Sequence, residues 1–403
     1  LGTFTCARHP ASVSTAPVQA MEISLYPTYN ALSKLIYSDP RMRGDIICIG
    51  GTSQWPATIF RGIDQWGEKY GYILVDPIGG AIGAFSHADG ISTGGQARTP
   101  ICKMPNIEHT EQDFPVLFLY RKEVPDSGGA GKFRGGLSAE SCFVPHNTPS
   151  ITQDTLSSGN ATPTATGMMG GYPGTTNEYK YVRHSDIQDR IKSRKMIDDI
   201  SEVAGESVTL QLRQVNFEQL PADVYSVVCS AAGGFGDPLD RDPQKVKEDV
   251  DANSVTVDGA REIYGVVIES ETGELDHDAT ESLRTNTRNA RLNGHRLNPI
   301  KANGELLLEV TENIHLRSEE GRTVYCCAKC HTEIGLLGEN YKEHCIRIDK
   351  HVSKSNLLIG EPSRFIDDVP QFRQFVCPGC GTLIENEIAM KGEPLLMDIH
   401  IEE

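Results

Sequence analysis

The chain has 403 residues, 38% of them hydrophobic and 23% charged, which is enough for two or three domains with real cores. Its net charge of -17 argues against a nucleic-acid partner, because phosphate binding needs a basic surface. No run of about 18 apolar residues occurs, so no membrane-spanning helix is expected. There is no visible signal peptide, and the chain opens on Leu1 rather than Met, as expected for a segment internal to a longer product.

In chain order, a helix is expected after Pro27, with Leu32, Leu35 and Ile36 on its buried face. DIICI (45–49) reads as a short buried strand and YILV (72–75) as another. A glycine-rich loop follows over 79–95, carrying His87, Asp89, Ser92 and Thr93. PVLFLY (115–120) is a strong buried-strand run, and it leads into DSGGAGKFRGG (126–136), the densest glycine loop. SAESCFV (138–144) and SVTLQLR (207–213) read as strands, and the charged stretch 186–200 as a helix with a solvated face. VYSVVCS (224–230) is a further buried strand. Pro243 opens a helix, and 278–292 forms another, amphipathic one. A linker is placed at 294–303, between a body (1–293) and a C-terminal module (304–403). That module is read as short strands: ELLLEV, TVYCC, QFVCP and LLMDIHI. The fold class expected is α+β: a mixed, β-rich body with glycine-rich loops and a small, β-rich, zinc-ribbon-like C-terminal domain.

Six of the eleven cysteines lie in the last quarter: Cys326, Cys327, Cys330, Cys345, Cys377 and Cys380. This clustering favours metal binding in a reducing cytoplasm over a disulfide framework. Cys327/Cys330 and Cys377/Cys380 form two Cys-x-x-Cys turns. Two such turns make the four-sulfur cage that zinc prefers, closed and structural because no coordination position stays open. Cys326, His331, His344 and Cys345 are the alternative ligands. No βαβ context surrounds either pair, which disfavours a thioredoxin-like redox role.

The glycines at 128, 129, 131, 135 and 136 allow positive φ and close backbone approach, so successive amides can form an anion nest, with Lys132 and Arg134 adding charge. A rigid loop that merely supports its neighbours fits the same residues equally well. His87 and Asp89 offer acid/base or metal chemistry, although a solvated loop is the commoner meaning of a lone His-x-Asp. GISTG (90–94) formally matches a nucleophile elbow around Ser92, but a glycine loop rather than a strand precedes it. Neither a phosphate-binding Walker loop nor a dinucleotide fingerprint is present.

Read together, these strings resemble a known family. PDSGGAGKFRGG (125–136), its approach NIEHTEQDFPVLFLYRKEV (106–124), GGYPGTTN (170–177), DPIGGAIGAFSHADG (76–90) and AAGGFGDPLDRDPQKVKEDV…YGVVI (231–268) are similar to hydantoinase B subunits and their oxoprolinase and ketone carboxylase relatives. The resemblance covers about 1–293 and enters the family domain midway. CPGCGTLIENEI…PLLMDIHI (377–401) and TVYCCAKC…ENYK (323–342) resemble the small zinc-bearing subunit of acetone carboxylase. The combination implies the ketone carboxylase branch: an ATP-dependent, biotin-independent ligase joining bicarbonate to an activated ketone to give a 3-oxoacid. It implies a hetero-oligomer in which ATP and Mg or Mn sit on a hydantoinase A-like partner subunit or in the N-terminal half of the family domain. Opening of a cyclic amide, as in hydantoinase or oxoprolinase, is the alternative activity; a purely structural subunit is the other. On this reading Asp126, Ser127, Lys132, Arg134, His87 and Asp89 are the candidate catalytic residues, and Cys327, Cys330, Cys377 and Cys380 the structural zinc ligands.

Overall fold

A computed structural model describes residues 8–11, 16–45, 56–96, 99–100, 104–292 and 299–401. Residues 46–49 of the expected strand and 294–298, half of the expected linker, lie outside the described residues. The body contains, in order, α1 (Ala16–Tyr37), β1 (Ala57–Ile63), β2 (Lys69–Ile73), β3 (Gly95–Gln96), β4 (Thr99–Pro100), α2 (Ile107–Asp113), β5 (Val116–Glu123), β6 (Ala139–Pro145), β7 (Ile151–Leu156) and β8 (Glu178–Arg183). It continues with α3 (Ile187–Lys192), β9 (Glu206–Val208), β10 (Arg213–Gln219), β11 (Val224–Val228), α4 (Pro243–Asp251), α5 (Val257–Glu262), β12 (Val267–Ile268), β13 (Leu275–Asp276) and α6 (His277–Arg291).

Two antiparallel sheets, ordered β10-β7-β1-β2 and β5-β6-β11-β8-β9, share an aromatic core. Phe60 from the first sheet meets Phe143 from the second at 5.8 Å between ring centroids. The Thr58 hydroxyl lies 2.7 Å from the Tyr225 hydroxyl across the same interface. β7 alternates buried and half-buried residues, as a strand with one core face should. β6 and β11 are buried throughout, because α3 and the segment after it cover their second face with Ile187, Ile197, Ile200 and Val203. Each large apolar side chain buried there contributes roughly 1.5–3 kcal/mol.

The helices start where capping chemistry directs. Asn106 caps α2, Asp242 precedes Pro243 and caps α4, Thr256 caps α5, and Asp276 caps α6. Four expectations are corrected. Pro27 lies inside α1 rather than before it, and Leu32 and Leu35 are exposed while Tyr26, Ser33 and Tyr37 are buried. Residues 207–213 straddle the break between β9 and β10. The charged stretch gives only the six-residue α3, because Arg194 takes a positive φ of 58° and ends any continuation. The strand read at 72–75 sits three residues earlier, as β2.

The C-terminal region holds β14 (Glu305–Glu309), β15 (Ile314–Glu319), β16 (Arg322–Cys327) and β17 (Glu333–Leu336) in one sheet. β18 (Ile346–His351), β19 (Pro370–Val376) and β20 (Leu383–Met390) form a second. The expected terminal strand LLMDIHI joins no ladder; Ile399 nevertheless packs with Val310 and Ile384.

Candidate functional site: a four-cysteine centre on a glycine-loop knot

The two Cys-x-x-Cys turns are built alike. In the first, the Cys327 amide donates to the Thr332 carbonyl (2.8 Å) and the His331 amide to the Cys327 carbonyl (2.9 Å). In the second, the Cys377 amide donates to Thr382 (2.9 Å) and the Gly381 amide to Cys377 (3.0 Å). His331 and Gly381 occupy the same left-handed position, with φ of 59° and 74°. A threonine follows at the same offset in each turn: Thr332 Oγ1 is 3.1 Å from Cys330 Sγ, and Thr382 Oγ1 is 3.2 Å from Cys380 Sγ.

The four sulfurs lie within 4.8 Å of one another. Cys330 and Cys377 are 3.5 Å apart, and Cys327 and Cys380 are 3.8 Å apart. A tetrahedron with metal–sulfur bonds of about 2.3 Å has edges of about 3.8 Å, so the cage fits a tetrahedral thiophilic ion. Among the described residues this is the single cluster of metal-ligating side chains. Cys326 points to the other side of β16, against Ala302 and Val324. Burial pushes the Cys345 thiol up to about 12. His331 turns toward Asn303, and His344 pairs with Glu339 at 3.1 Å. None of the four alternatives joins the cage.

The glycine loops mesh backbone on backbone. Gly129 donates to Ala232 (2.7 Å), Tyr172 to Ala130 (2.7 Å), Gly234 to Tyr172 (3.0 Å), Ala84 to Gly233 (3.0 Å) and Gly136 to Ile82 (3.0 Å). Residues 79–95, 126–136, 167–174 and 231–236 thereby form one knot. A Cβ on Gly129 would sit 2.2 Å from the Tyr172 carbonyl oxygen, and one on Gly171 would sit 2.0 Å from that of Gly234. The expected anion nest at 126–136 is therefore corrected. Glycines 128, 129, 131, 135 and 136 do not adopt positive φ, and the amides of Gly129, Lys132, Phe133, Gly135 and Gly136 are spent on neighbouring carbonyls. Glycine is needed here for close approach rather than for left-handed turns.

The candidate side chains mostly serve this knot. The Asp126 carboxylate, at φ 59°, accepts from the Thr256 amide (3.0 Å) and hydroxyl (2.6 Å), fixing the start of α5. Ser127 is fully buried, donates to the Val124 carbonyl (2.6 Å) and accepts from the Ser138 amide (3.0 Å). Asp89 accepts from the Arg134 amide (2.7 Å) and from both terminal nitrogens of Arg241 (2.6 and 2.7 Å). Arg241 also reaches Asp249 (2.7 Å), and Asp249 pairs with Arg134 (3.1 Å). Burial would lift the Asp89 carboxyl, but the Arg241 guanidinium outweighs it and the group stays below the usual range. Lys132 reaches the C-terminal region to pair with Glu312 at 2.5 Å. His87 is exposed beside Phe85. Ser92 accepts from the Leu137 amide (3.1 Å) and has no elbow geometry. Arg241 and Asp249, which complete the charged network, were not singled out in the sequence. A signal for Arg241 lay in DPLDRDP, where three acidic residues surround one arginine; Asp249, six residues further on inside α4, carried none.

Residues 1–238 match the family described as hydantoinase B/oxoprolinase. The chain belongs to that family. Residues 300–402 match a second family, the acetone carboxylase gamma subunit, and contain all four cysteines of the cage. The delta subunit of acetophenone carboxylase from Aromatoleum aromaticum is 26% identical over 301 residues, covering 72% of this chain and 44% of that protein. The alpha subunit of acetone carboxylase from Xanthobacter autotrophicus is 29% identical over 248 residues, covering 57% of this chain and 32% of that protein. A nucleotide-free structure of acetone carboxylase superposes with a TM-score of 0.58 at 25% identity, covering 67% of this chain and 38% of that one. The chain thus spans less than half the length of these relatives. Among the described residues, no helix is long and apolar enough to cross a membrane.

Proposed function

We propose that this hydantoinase B/oxoprolinase family member is a subunit, or part of one, in an ATP-dependent, biotin-independent ketone carboxylase. Such an assembly joins bicarbonate to an activated ketone enolate and yields a 3-oxoacid. The observation that carries this reading is the presence in one chain of a hydantoinase B match and an acetone carboxylase gamma match, the latter on a four-cysteine centre. The ion suited to the cage is zinc, and its role is structural, because four sulfurs close the tetrahedron. ATP with Mg or Mn is assigned to a hydantoinase A-like partner or to the N-terminal half of the family domain. A cytoplasmic hetero-oligomer is the setting in which reduced cysteines and such partners coexist.

Within this proposal Asp126, Ser127, Arg134 and Asp89 hold the loop framework. Lys132 and His87 are the members whose side chains reach the surface of the knot. Cation clamps and exclusion of water are what short-lived carboxylated or phosphorylated intermediates require. The second reading, ATP-dependent opening of a cyclic amide, draws on the beta subunit of caprolactamase from Pseudomonas jessenii, 32% identical over 179 residues and covering 28% of that protein. Purification with co-expressed partners, followed by ATP hydrolysis with ketones or with hydantoins and lactams, separates the two. Ketone-dependent hydrolysis supports the first reading; lactam-dependent hydrolysis alone replaces it. An intact complex inactive on both leaves this chain a structural subunit.

A further inference from the structure

The four-cysteine centre is seated on the body rather than hung from it. Asn313, fully buried, stands at the junction. Its backbone carbonyl accepts from the Ala328 amide (2.9 Å), inside the first Cys-x-x-Cys turn. Its side-chain amide donates to the Met169 carbonyl (2.7 Å) in the glycine knot and to the Leu383 carbonyl (3.1 Å) just past the second turn. Asp237, also fully buried, closes the other side. It accepts from the Leu383 amide (3.0 Å) and is held by Arg291 (2.7 and 3.1 Å), which also donates to the Gly381 carbonyl (3.2 Å). Asn386 donates to the Gly170 and Gly171 carbonyls (3.1 and 2.9 Å). Glycine is required where the two parts touch: a Cβ on Gly170 would sit 2.6 Å from the Leu383 oxygen, and one on Gly381 would sit 2.4 Å from the Arg288 oxygen. Lys329, between the first two cysteines, pairs with Asp240, which also binds Arg288 (2.8 Å).

We infer that Asn313 and the Asp237–Arg291 pair are positioning residues through which metal occupancy of the four-cysteine centre sets the order of the glycine-loop knot. The first turn reaches the 167–174 loop through Asn313, and Leu383, just past the second turn, bonds Asp237 at the end of the 231–237 loop. The turns are gathered into one cage by the ion, because without it the sulfurs take up protons and lose the bonds that tie the two turns together. Loss of the ion therefore frees the amides and carbonyls that clasp the body. Groups of this kind around a metal typically change its affinity 10–100-fold. The coupling depends on the cage binding a metal and is independent of which reaction the assembly performs.

The test is hydrogen–deuterium exchange with mass spectrometry on the full chain, first zinc-loaded and then treated with excess chelator. The expected result is at least tenfold faster exchange in 167–174 and 231–237, together with 327–332 and 377–383, reversed by returning zinc. In zinc-loaded Asn313→Ala the same body segments exchange faster, and competition with a chromogenic chelator shows about tenfold weaker zinc binding. Asn313→Gln, which keeps the amide donor, recovers part of that loss. Faster exchange confined to 299–401 after chelation, with the body loops unchanged, overturns the inference. Chelation of the natural chain separates these outcomes even if the variants fail to fold.

Discussion

Replacement of Gly129 by alanine tests the idea that the glycines exist for backbone approach. The new Cβ would lie 2.2 Å from the Tyr172 carbonyl oxygen and 2.6 Å from the Gly234 amide nitrogen, both of them backbone atoms that no rotamer change can move. Those two atoms bond each other at 3.0 Å, and the Gly129 amide itself donates to Ala232 at 2.7 Å. Overpacking a tight site costs about 1–3 kcal/mol, and each displaced buried hydrogen bond adds about 1 kcal/mol. Because φ is not positive at Gly129, alanine also lowers the entropy of the unfolded chain, which offsets about 0.4–1 kcal/mol. The net expectation is a loss of about 3 kcal/mol. Gly71→Ala is the control, with no atom within 4 Å of its Cβ and ordinary φ. Equilibrium urea unfolding of both variants measures the difference. Equal midpoints and slopes for Gly129→Ala and Gly71→Ala would refute the close-packing argument.

Arg241→Met removes the cation shared by Asp89 and Asp249, leaving Asp249 with Arg134 alone and Asp89 with the Arg134 amide, a loss of about 3 kcal/mol by urea unfolding; Lys245→Met, which breaks only a surface pair with Glu248, leaves the midpoint in place. Burial alone would raise the Asp398 carboxyl, but Lys34 and Lys342 hold it down at about 2, so its stabilisation is complete above its unfolded value near pH 4 and disappears as pH falls toward 2. Lys34→Met should move the acid unfolding midpoint, followed by near-ultraviolet circular dichroism, to higher pH; an unchanged midpoint contradicts the assignment. Elemental analysis should find one zinc per chain, and Cys380→Ser should lower both the zinc content and the melting temperature.

The metal cage was legible because its chemistry is local. Two short turns, each with cysteines three apart, determine their own geometry, and only the 53-residue step between Cys327 and Cys380 had to be closed by the fold. β5, β11, α4 and α6 were legible for a similar reason: apolar runs, Pro at a first helical turn and 3.6-residue periodicity are signals carried within ten or fifteen residues. The glycine loops were not. Their composition is the same whether glycine supplies positive φ or room for a neighbouring carbonyl, and the neighbours come from loops about 40 to 100 residues away in the chain. Arg241, Asp237 and Asn313 escaped notice because each looks like an ordinary turn residue until burial and long-range partners are known. α1 misled for a different reason: its apolar residues at 32 and 35 are exposed, while Tyr26, Ser33 and Tyr37 provide the buried side.

Incorporation of labelled bicarbonate addresses the central claim most directly. The chain, assembled with its partners and supplied with ATP, divalent metal and a panel of aliphatic and aromatic ketones, should transfer label into an acid-labile 3-oxoacid with one of them. Stable absence of label across the panel, with the same preparation opening hydantoins or lactams at the expense of ATP, would contradict the account.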